Sequence, residues 1–359
     1  MSLRELMRPD LTSLEPYTLP PDVEALSREI GRPVVKLDAN ENPYGPAPGV
    51  AEALARADLA HYPDADATEL RRGLSQYLGV EPERIVCSVG GDEMIDLLLR
   101  LFLQPGDGVI DCTPSFMMYE LSAIYNRGAV IPVPRDECFA VDVDAVERAI
   151  GPNTKVIFLC NPNNPTGNET PREDVIRLLE SGRIVVLDEA YAEFAGFSHV
   201  DLAPQRPNLV VMRTMSKWAA LAGVRLGYAV VAPEVREEMA KIKSPYNVGI
   251  AAQVAGVASL HERDYLMANV GKILQERERL RGRLEVWGRG RVYPSLTNFL
   301  YWTTGGLDAR QMREAMMRKG VLVRAFPRPV QALRFSVGTP DQSDILMEAL
   351  EETYAELAG

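Results

Sequence analysis

Cysteine and histidine are scarce in this chain, with four and three copies among 359 residues. The nearest cysteines, Cys138 and Cys160, are too far apart for a C-x-x-C pair, and His61, His199 and His261 stand alone. The sequence therefore offers no metal-ligand cluster. Cysteines scattered through a chain of this length read as reduced thiols of a cytoplasmic protein. Positive charge is also in deficit: 39 Lys and Arg face 50 Asp and Glu, a formal charge of -11. That balance argues against nucleic acid and against an anionic membrane surface as partners. Long apolar runs are missing as well. The most apolar tract, Trp218 to Ala232, is interrupted by Arg225 and is too short to span a bilayer. The opening MSLRELMRPD mixes charges where a secretion leader needs a continuous apolar stretch, so no leader is expected. What remains is ordinary: 46% hydrophobic and 25% charged residues, enough for a sizeable core.

The pattern along the chain has three parts. Residues 1–40 carry five prolines and one plausible helix, Asp22 to Ile30, and read as an arm that packs with a smaller domain. Residues 41–265 alternate short apolar runs with helical stretches. The runs are Arg84 to Val89, Gly108 to Cys112, Lys155 to Cys160, Arg183 to Leu187, Leu209 to Met212 and Val224 to Val231. Thr68 to Leu78 and Asp92 to Leu103 are among the helical ones. Strands apolar on both faces, alternating with helices, predict an α/β fold with a mostly parallel sheet between two helical layers. Residues 266–359 open with a long charged helix and continue as a smaller α+β domain.

In an open parallel sheet, ligands collect beyond the carboxyl ends of the strands. Five segments stand there or at an equivalent edge. Val89-Gly-Gly-Asp-Glu93 fits an anion at a helix N-terminus, or simply a tight turn capped by Asp92. Asn161-Pro-Asn-Asn-Pro-Thr-Gly167 is turn chemistry that leaves Asn164 free to aim an amide at a ligand oxygen. Asp188-Glu-Ala-Tyr191 places a carboxylate and a phenol together, although Asp188 reads equally well as a helix cap. Arg213-Thr-Met-Ser-Lys217 precedes Trp218-Ala-Ala-Leu-Ala-Gly-Val and then Arg225. A lysine desolvated by such surroundings has a lowered pKa and becomes a nucleophile, while Arg225, Thr214 and Ser216 suit phosphate oxygens. Arg334-Phe-Ser-Val-Gly338 supplies either a rim ion pair or a carboxylate clamp.

Together with Leu37-Asp-Ala-Asn-Glu-Asn-Pro-Tyr-Gly-Pro46 and Tyr62-Pro-Asp64, these segments resemble the pyridoxal-phosphate aminotransferases of fold type I. Within that superfamily they are most similar to the histidinol-phosphate aminotransferase family, in the expected order from about residue 37 to 348. The resemblance implies a three-layer αβα large domain, a smaller C-terminal α+β domain and pyridoxal 5'-phosphate as cofactor. Lys217 would hold the cofactor covalently, Asp188 would face its pyridine nitrogen, and Tyr191 with Asn164 would hydrogen-bond its ring oxygen. Gly91, Asp92, Thr214, Ser216 and Arg225 would bind the phosphate, and Phe116 would stack on the ring. Tyr62 would reach the phosphate of the neighbouring subunit, implying a homodimer with shared sites. Arg334 would bind the substrate carboxylate, with Arg324, Asn42 and Tyr44 towards the substrate's other end. Trp218 departs from the pattern, because relatives often place a small residue beside the lysine.

The implied reaction is transamination between L-histidinol phosphate and 2-oxoglutarate, giving imidazole-acetol phosphate and L-glutamate. Two alternatives share these motifs: an aromatic amino-acid aminotransferase and a decarboxylase of a phosphorylated amino acid.

Overall fold

The computed structural model describes residues 2–12, 14 and 21–358. The chain joins the fold through β1 (Val35–Lys36), which lies parallel to a two-residue strand near the other end of the sequence. The large sheet is built from β2 (Ile85–Val89), β3 (Gly108–Thr113), β4 (Ala129–Pro134), β5 (Thr154–Cys160), β6 (Ile184–Asp188), β7 (Leu209–Thr214) and β8 (Leu226–Val230). Their order is β2-β8-β7-β6-β5-β3-β4. β8 runs antiparallel to both its neighbours, and the remaining pairs are parallel.

The strand sequences explain the three layers. Side chains alternate across a strand, so Ile157, Leu159, Val185 and Leu187 enter one core with Leu70 and Leu74 of the helix Thr68–Leu78. Val156, Phe158 and Val186 enter the opposite core with Met94 and Leu98 of the helix Gly90–Phe102. All of these are essentially inaccessible to solvent. Sequence pattern alone does not reveal β4, because Pro132 and Pro134 speak against a strand. It survives as the sheet's edge, where a missing N–H donor leaves no ladder bond unmade.

The smaller unit holds β9 (Phe299–Thr303), β10 (Val321–Leu322), which is the partner of β1, β11 (Arg324–Phe326) and β12 (Ala332–Ser336). β11, β12 and β9 form an antiparallel sheet in that order, packed on the helices Ala309–Arg318 and Pro340–Ala358 through Trp302, Met312, Met316, Phe335 and Leu346. The helix Arg263–Trp287 serves both cores: Leu266, Val270 and Ile273 belong to the large one, Leu280 and Leu284 to the small one. A division at 265 therefore falls at the start of a shared rod.

The amino-terminal arm divides too. Val35 and Leu37 pack in the small core, and the helix Val23–Ile30 is capped by the Asp22 carboxylate, which accepts from the N–H groups of Glu24 and Ala25. Residues near Arg8 lie instead on the large unit, where the Arg8 guanidinium donates to the carbonyl of Tyr125 at 3.0 Å. Residues 1, 13 and 15–20 of the expected arm lie outside the described residues. No helix among the described residues is long and apolar enough to cross a membrane.

Candidate active site

The parallel strands β5, β6 and β7 end side by side, with Cys160 beside Asp188 and Asp188 beside Met212. A cavity of about 430 Å³ opens beyond these ends. The segment Asp38–Glu41 closes one wall, and Arg324 and Arg334 of the smaller unit close another. Twelve of the residues singled out from sequence reach this one cavity. Gly91, Asp92, Phe116 and Asn164 come from the turns and helices after β2, β3 and β5, and Asp188 and Tyr191 follow β6. Thr214, Ser216, Lys217 and Arg225 follow β7, and the two annex arginines complete the set.

Lys217 is only partly exposed, and its Nζ donates to the carbonyl of Ala39 at 3.0 Å. Burial, reinforced by the nearby Arg334 guanidinium, lowers its pKa to about 8. Near neutrality the side chain is thus far closer to a free amine than an exposed lysine would be. Asp188 is buried at the cavity floor, and burial raises its carboxyl pKa to about 6. Its Oδ1 accepts from the N–H of Ala190 at 3.0 Å, and its Oδ2 accepts from the Tyr119 hydroxyl at 2.7 Å. Tyr191 accepts a hydrogen bond from the Asn40 amide at 2.9 Å, which holds its phenol against the same wall.

At the other end of the cavity the backbone is arranged for an anion. The helix Gly90–Phe102 begins with Gly90 and Gly91 inside its first turn, so Asp92 is not its cap as a turn reading would have it. Gly90 has φ of +71°, and a Cβ there would sit 2.4 Å from the Arg225 guanidinium. A Cβ on Gly227 would sit 2.5 Å from the Gly90 carbonyl carbon. Gly90 is therefore favoured by its left-handed backbone, and Gly227 by the close approach of β8 to the helix start. Arg225 ion-pairs with Asp92 at 3.0 Å. Thr214 and Ser216 place their hydroxyls 3.0 Å apart beside this cradle.

Arg334 is buried with its planar fork fixed from two sides. Nη1 donates to Asn164 Oδ1 at 2.6 Å and Nη2 to the Asp38 carbonyl at 2.6 Å. Its guanidinium also lies over Phe299 and Phe326, 5.4 and 5.8 Å from their ring centres.

Three sequence-derived residues are not part of the cavity wall. Tyr62 is 82% exposed and stacks on Tyr246 at 4.6 Å, on the molecular surface. Asn42 supports the site from behind, its amide donating to the carbonyl of Trp218 at 3.1 Å. Tyr44 turns its ring towards Lys272, 5.0 Å away. Asn40, two positions before Asn42, does line the cavity: besides the bond from its amide to Tyr191, its N–H donates to Ser336 Oγ at 2.8 Å.

The sequence also gave no sign of a buried ionic cluster behind the lysine. Arg213 and the Tyr77 hydroxyl both donate to Glu193 Oε1 at 3.0 Å. The Tyr77 ring stacks on Trp218 at 5.5 Å, next to Lys217. Trp218 is completely buried, which answers the departure noted at that position: the large ring fills a prepared slot.

The chain is similar to known proteins along almost its whole length. The sequence profile of the family "Aminotransferase class I and II" matches residues 32–350. The histidinol-phosphate aminotransferase of Roseiflexus castenholzii is 48% identical, with 98% of this chain and 99% of that protein covered. Histidinol-phosphate aminotransferase 1, chloroplastic, of Arabidopsis thaliana is 41% identical, covering 97% of this chain and 86% of that one. Among solved structures, the histidinol-phosphate aminotransferase of Sinorhizobium meliloti in complex with pyridoxal-5'-phosphate superposes with a TM-score of 0.89, at 29% identity and 98% coverage of each chain. A lysine, a carboxylate and an anion cradle at the strand ends, within a sequence matched along almost its whole length, settle the assignment: the chain belongs to the class I and II aminotransferase family.

Proposed function

We propose that this protein transfers the amino group of L-histidinol phosphate to 2-oxoglutarate, giving imidazole-acetol phosphate and L-glutamate, a step of histidine biosynthesis, with pyridoxal 5'-phosphate as cofactor. The observation that carries this reading is the 48% identity, end to end, with the Roseiflexus enzyme of that name.

The residues present fit the cofactor. A buried carboxylate at the cavity floor suits a protonated ring nitrogen, and the glycine-lined helix start with Arg225 suits a phosphate. Asp188 would hold the ring nitrogen, Phe116 one ring face, and Gly91, Asp92, Thr214, Ser216 and Arg225 the phosphate end. When bound, the cofactor supplies an electron sink that stabilises negative charge on the amine-bearing carbon of the donor.

The chain's own side chains do the rest. Lys217, with its pKa lowered to about 8, takes and returns the proton at the donor's amine-bearing carbon as a general base. Asp188 keeps the proton on the ring nitrogen in place by its charge. Asn164, whose Oδ1 is engaged by Arg334, and Tyr191, fixed by Asn40, orient the ring. Arg334 and Arg324 receive the anionic group of whichever substrate is bound, a phosphate in one half-reaction and a carboxylate in the other, because a guanidinium forks to either.

The exposed Tyr62 and Tyr246 pair supports a homodimer in which Tyr62 completes the partner's phosphate site. All four thiols are free, the state a reducing compartment maintains, which favours a cytoplasmic enzyme.

Specificity constants for histidinol phosphate, phenylalanine and tyrosine, each with 2-oxoglutarate, test the reading. Histidinol phosphate should lead by more than about tenfold, roughly 1.4 kcal/mol of transition-state preference. A lead of that size for phenylalanine would make the protein an aromatic aminotransferase, and release of carbon dioxide without a keto-acid acceptor would make it a decarboxylase.

A further inference from the structure

A buried hydroxyl touches the site's acid. Tyr119 sits on the helix Met118–Tyr125, completely inaccessible, and its Oη donates to Asp188 Oδ2 at 2.7 Å. Its ring is held on both sides. It lies parallel to Phe158 of β5, 4.5 Å away and 6° from coplanar, and meets Phe116 edge-on at 5.7 Å. The same residue therefore braces Phe116, the ring-stacking candidate, and Asp188, the ring-nitrogen candidate.

We propose that Tyr119 is a positioning residue that keeps Asp188 ionised and correctly turned towards the cofactor. The proposal rests on the reading of Asp188 given above.

The two oxygens of Asp188 are each anchored by a different donor, the Ala190 N–H on Oδ1 and the Tyr119 hydroxyl on Oδ2. Two anchors on one carboxylate fix its plane. They also oppose burial, since donors to the charged form favour it. The other titratable neighbours act differently. Asp92 and Glu189 are acids that push the carboxyl pKa up. Cys160 on β5 is held neutral by burial, its thiol pushed up to about 12, and burial raises the Tyr191 phenol. Tyr119 itself stays protonated, raised well above the ordinary phenol value by burial and by Asp188. It is thus a permanent donor across the working pH range.

Replacing Tyr119 by Phe removes one oxygen and keeps the ring between Phe158 and Phe116. In the holoenzyme, Tyr119→Phe should move the acidic limb of kcat/KM up by about one pH unit and weaken pyridoxal 5'-phosphate binding about tenfold, the scale of one charge-assisted hydrogen bond. The visible absorption of the bound cofactor, titrated against pH, should shift in the same direction. A ring-fluorinated tyrosine at 119, equal in shape but a stronger donor, should move the limb and the titration down instead. A purely structural role would lower the denaturation midpoint and leave limb and spectrum in place, which would overturn the proposal, as would a fluorotyrosine enzyme indistinguishable from wild type. Asp188→Asn separates the two levels of the argument. If it cripples turnover while Tyr119→Phe changes nothing, only the role of Tyr119 fails. If Asp188→Asn binds cofactor and turns over normally, the reading of Asp188 fails and takes this proposal with it.

Discussion

Arg324 and Arg334 stand directly opposite one another across the antiparallel pair β11–β12, on the wall of the cavity. Like charges in register on neighbouring strands repel, and an anion between them relieves the repulsion. If Arg324 and Arg334 receive the anionic group of the substrate, as proposed, this pairing is what substitution there should disturb. Arg334→Lys keeps the charge but loses the fork held by Asn164 and Asp38. It should lower kcat/KM for both donor and acceptor by roughly 10- to 100-fold, the cost of one or two charged hydrogen bonds. Arg324→Ala should raise KM more than it lowers kcat. Steady-state kinetics with each substrate varied in turn checks both.

Lys217 is held at a cost to the fold. Its folded pKa of about 8 lies below the ordinary 10.5, so between those values the unfolded chain binds the extra proton and stability rises with pH. The penalty is fully present below pH 8. Lys217→Met should therefore stabilise the apo protein by up to about 3 kcal/mol at pH 7. The gain should shrink as pH climbs from 8 to 10.5. Chemical denaturation of both apo proteins across that range measures it, and a gain independent of pH would assign it to packing alone.

Arg213 and Glu193 are buried and Tyr77 half-buried beside them, so the members of this cluster are valuable only as a set. Glu193→Ala removes the hydrogen-bonded partner of the Arg213 guanidinium, leaves only Glu189 at 4.0 Å to balance it, and should cost about 3 kcal/mol. Exchanging both charges for apolar residues of similar volume should recover most of that loss. Because Tyr77 stacks on Trp218, Tyr77→Ala should also loosen the lysine segment and weaken cofactor retention. Tyr77→Phe should preserve it.

Much of this site is legible in the sequence because strand-end residues travel in short motifs: Asp188 with Tyr191, Lys217 with Thr214 and Ser216. What escapes is whatever depends on partners far apart in the chain. Tyr77 meets Glu193 across 116 positions and Tyr119 meets Asp188 across 69, and neither pair leaves a local pattern. Asn42 and Asn40 illustrate a finer point. Both amides sit in one motif, and the one that lines the cavity is Asn40, where the backbone turns with φ of +54°. β4 escaped for the opposite reason: its prolines are a strong local signal, overruled by its place at the edge.

Tyr62 offers the remaining test. If it serves the partner's site, mixing inactive Tyr62→Ala and Lys217→Ala proteins yields hybrid dimers with one undamaged site. Activity should return to about a quarter of wild type at random assortment. No recovery after verified subunit exchange would place Tyr62 outside the catalytic machinery.

The segment Asp38–Glu41 leaves the ribosome early and finds its contacts late. Asn40 bonds Ser336, and Asp38 receives Arg334, each across 296 positions. At translation rates of 5–20 residues per second, roughly 15–60 s pass between the synthesis of these two ends. During that interval a nascent chain can complete the large sheet with its lysine and its acid in place, yet it has no wall on the substrate side. The order of synthesis thus puts the substrate-facing wall last, and a chain released short of β12 would lack Arg334 and Ser336 altogether.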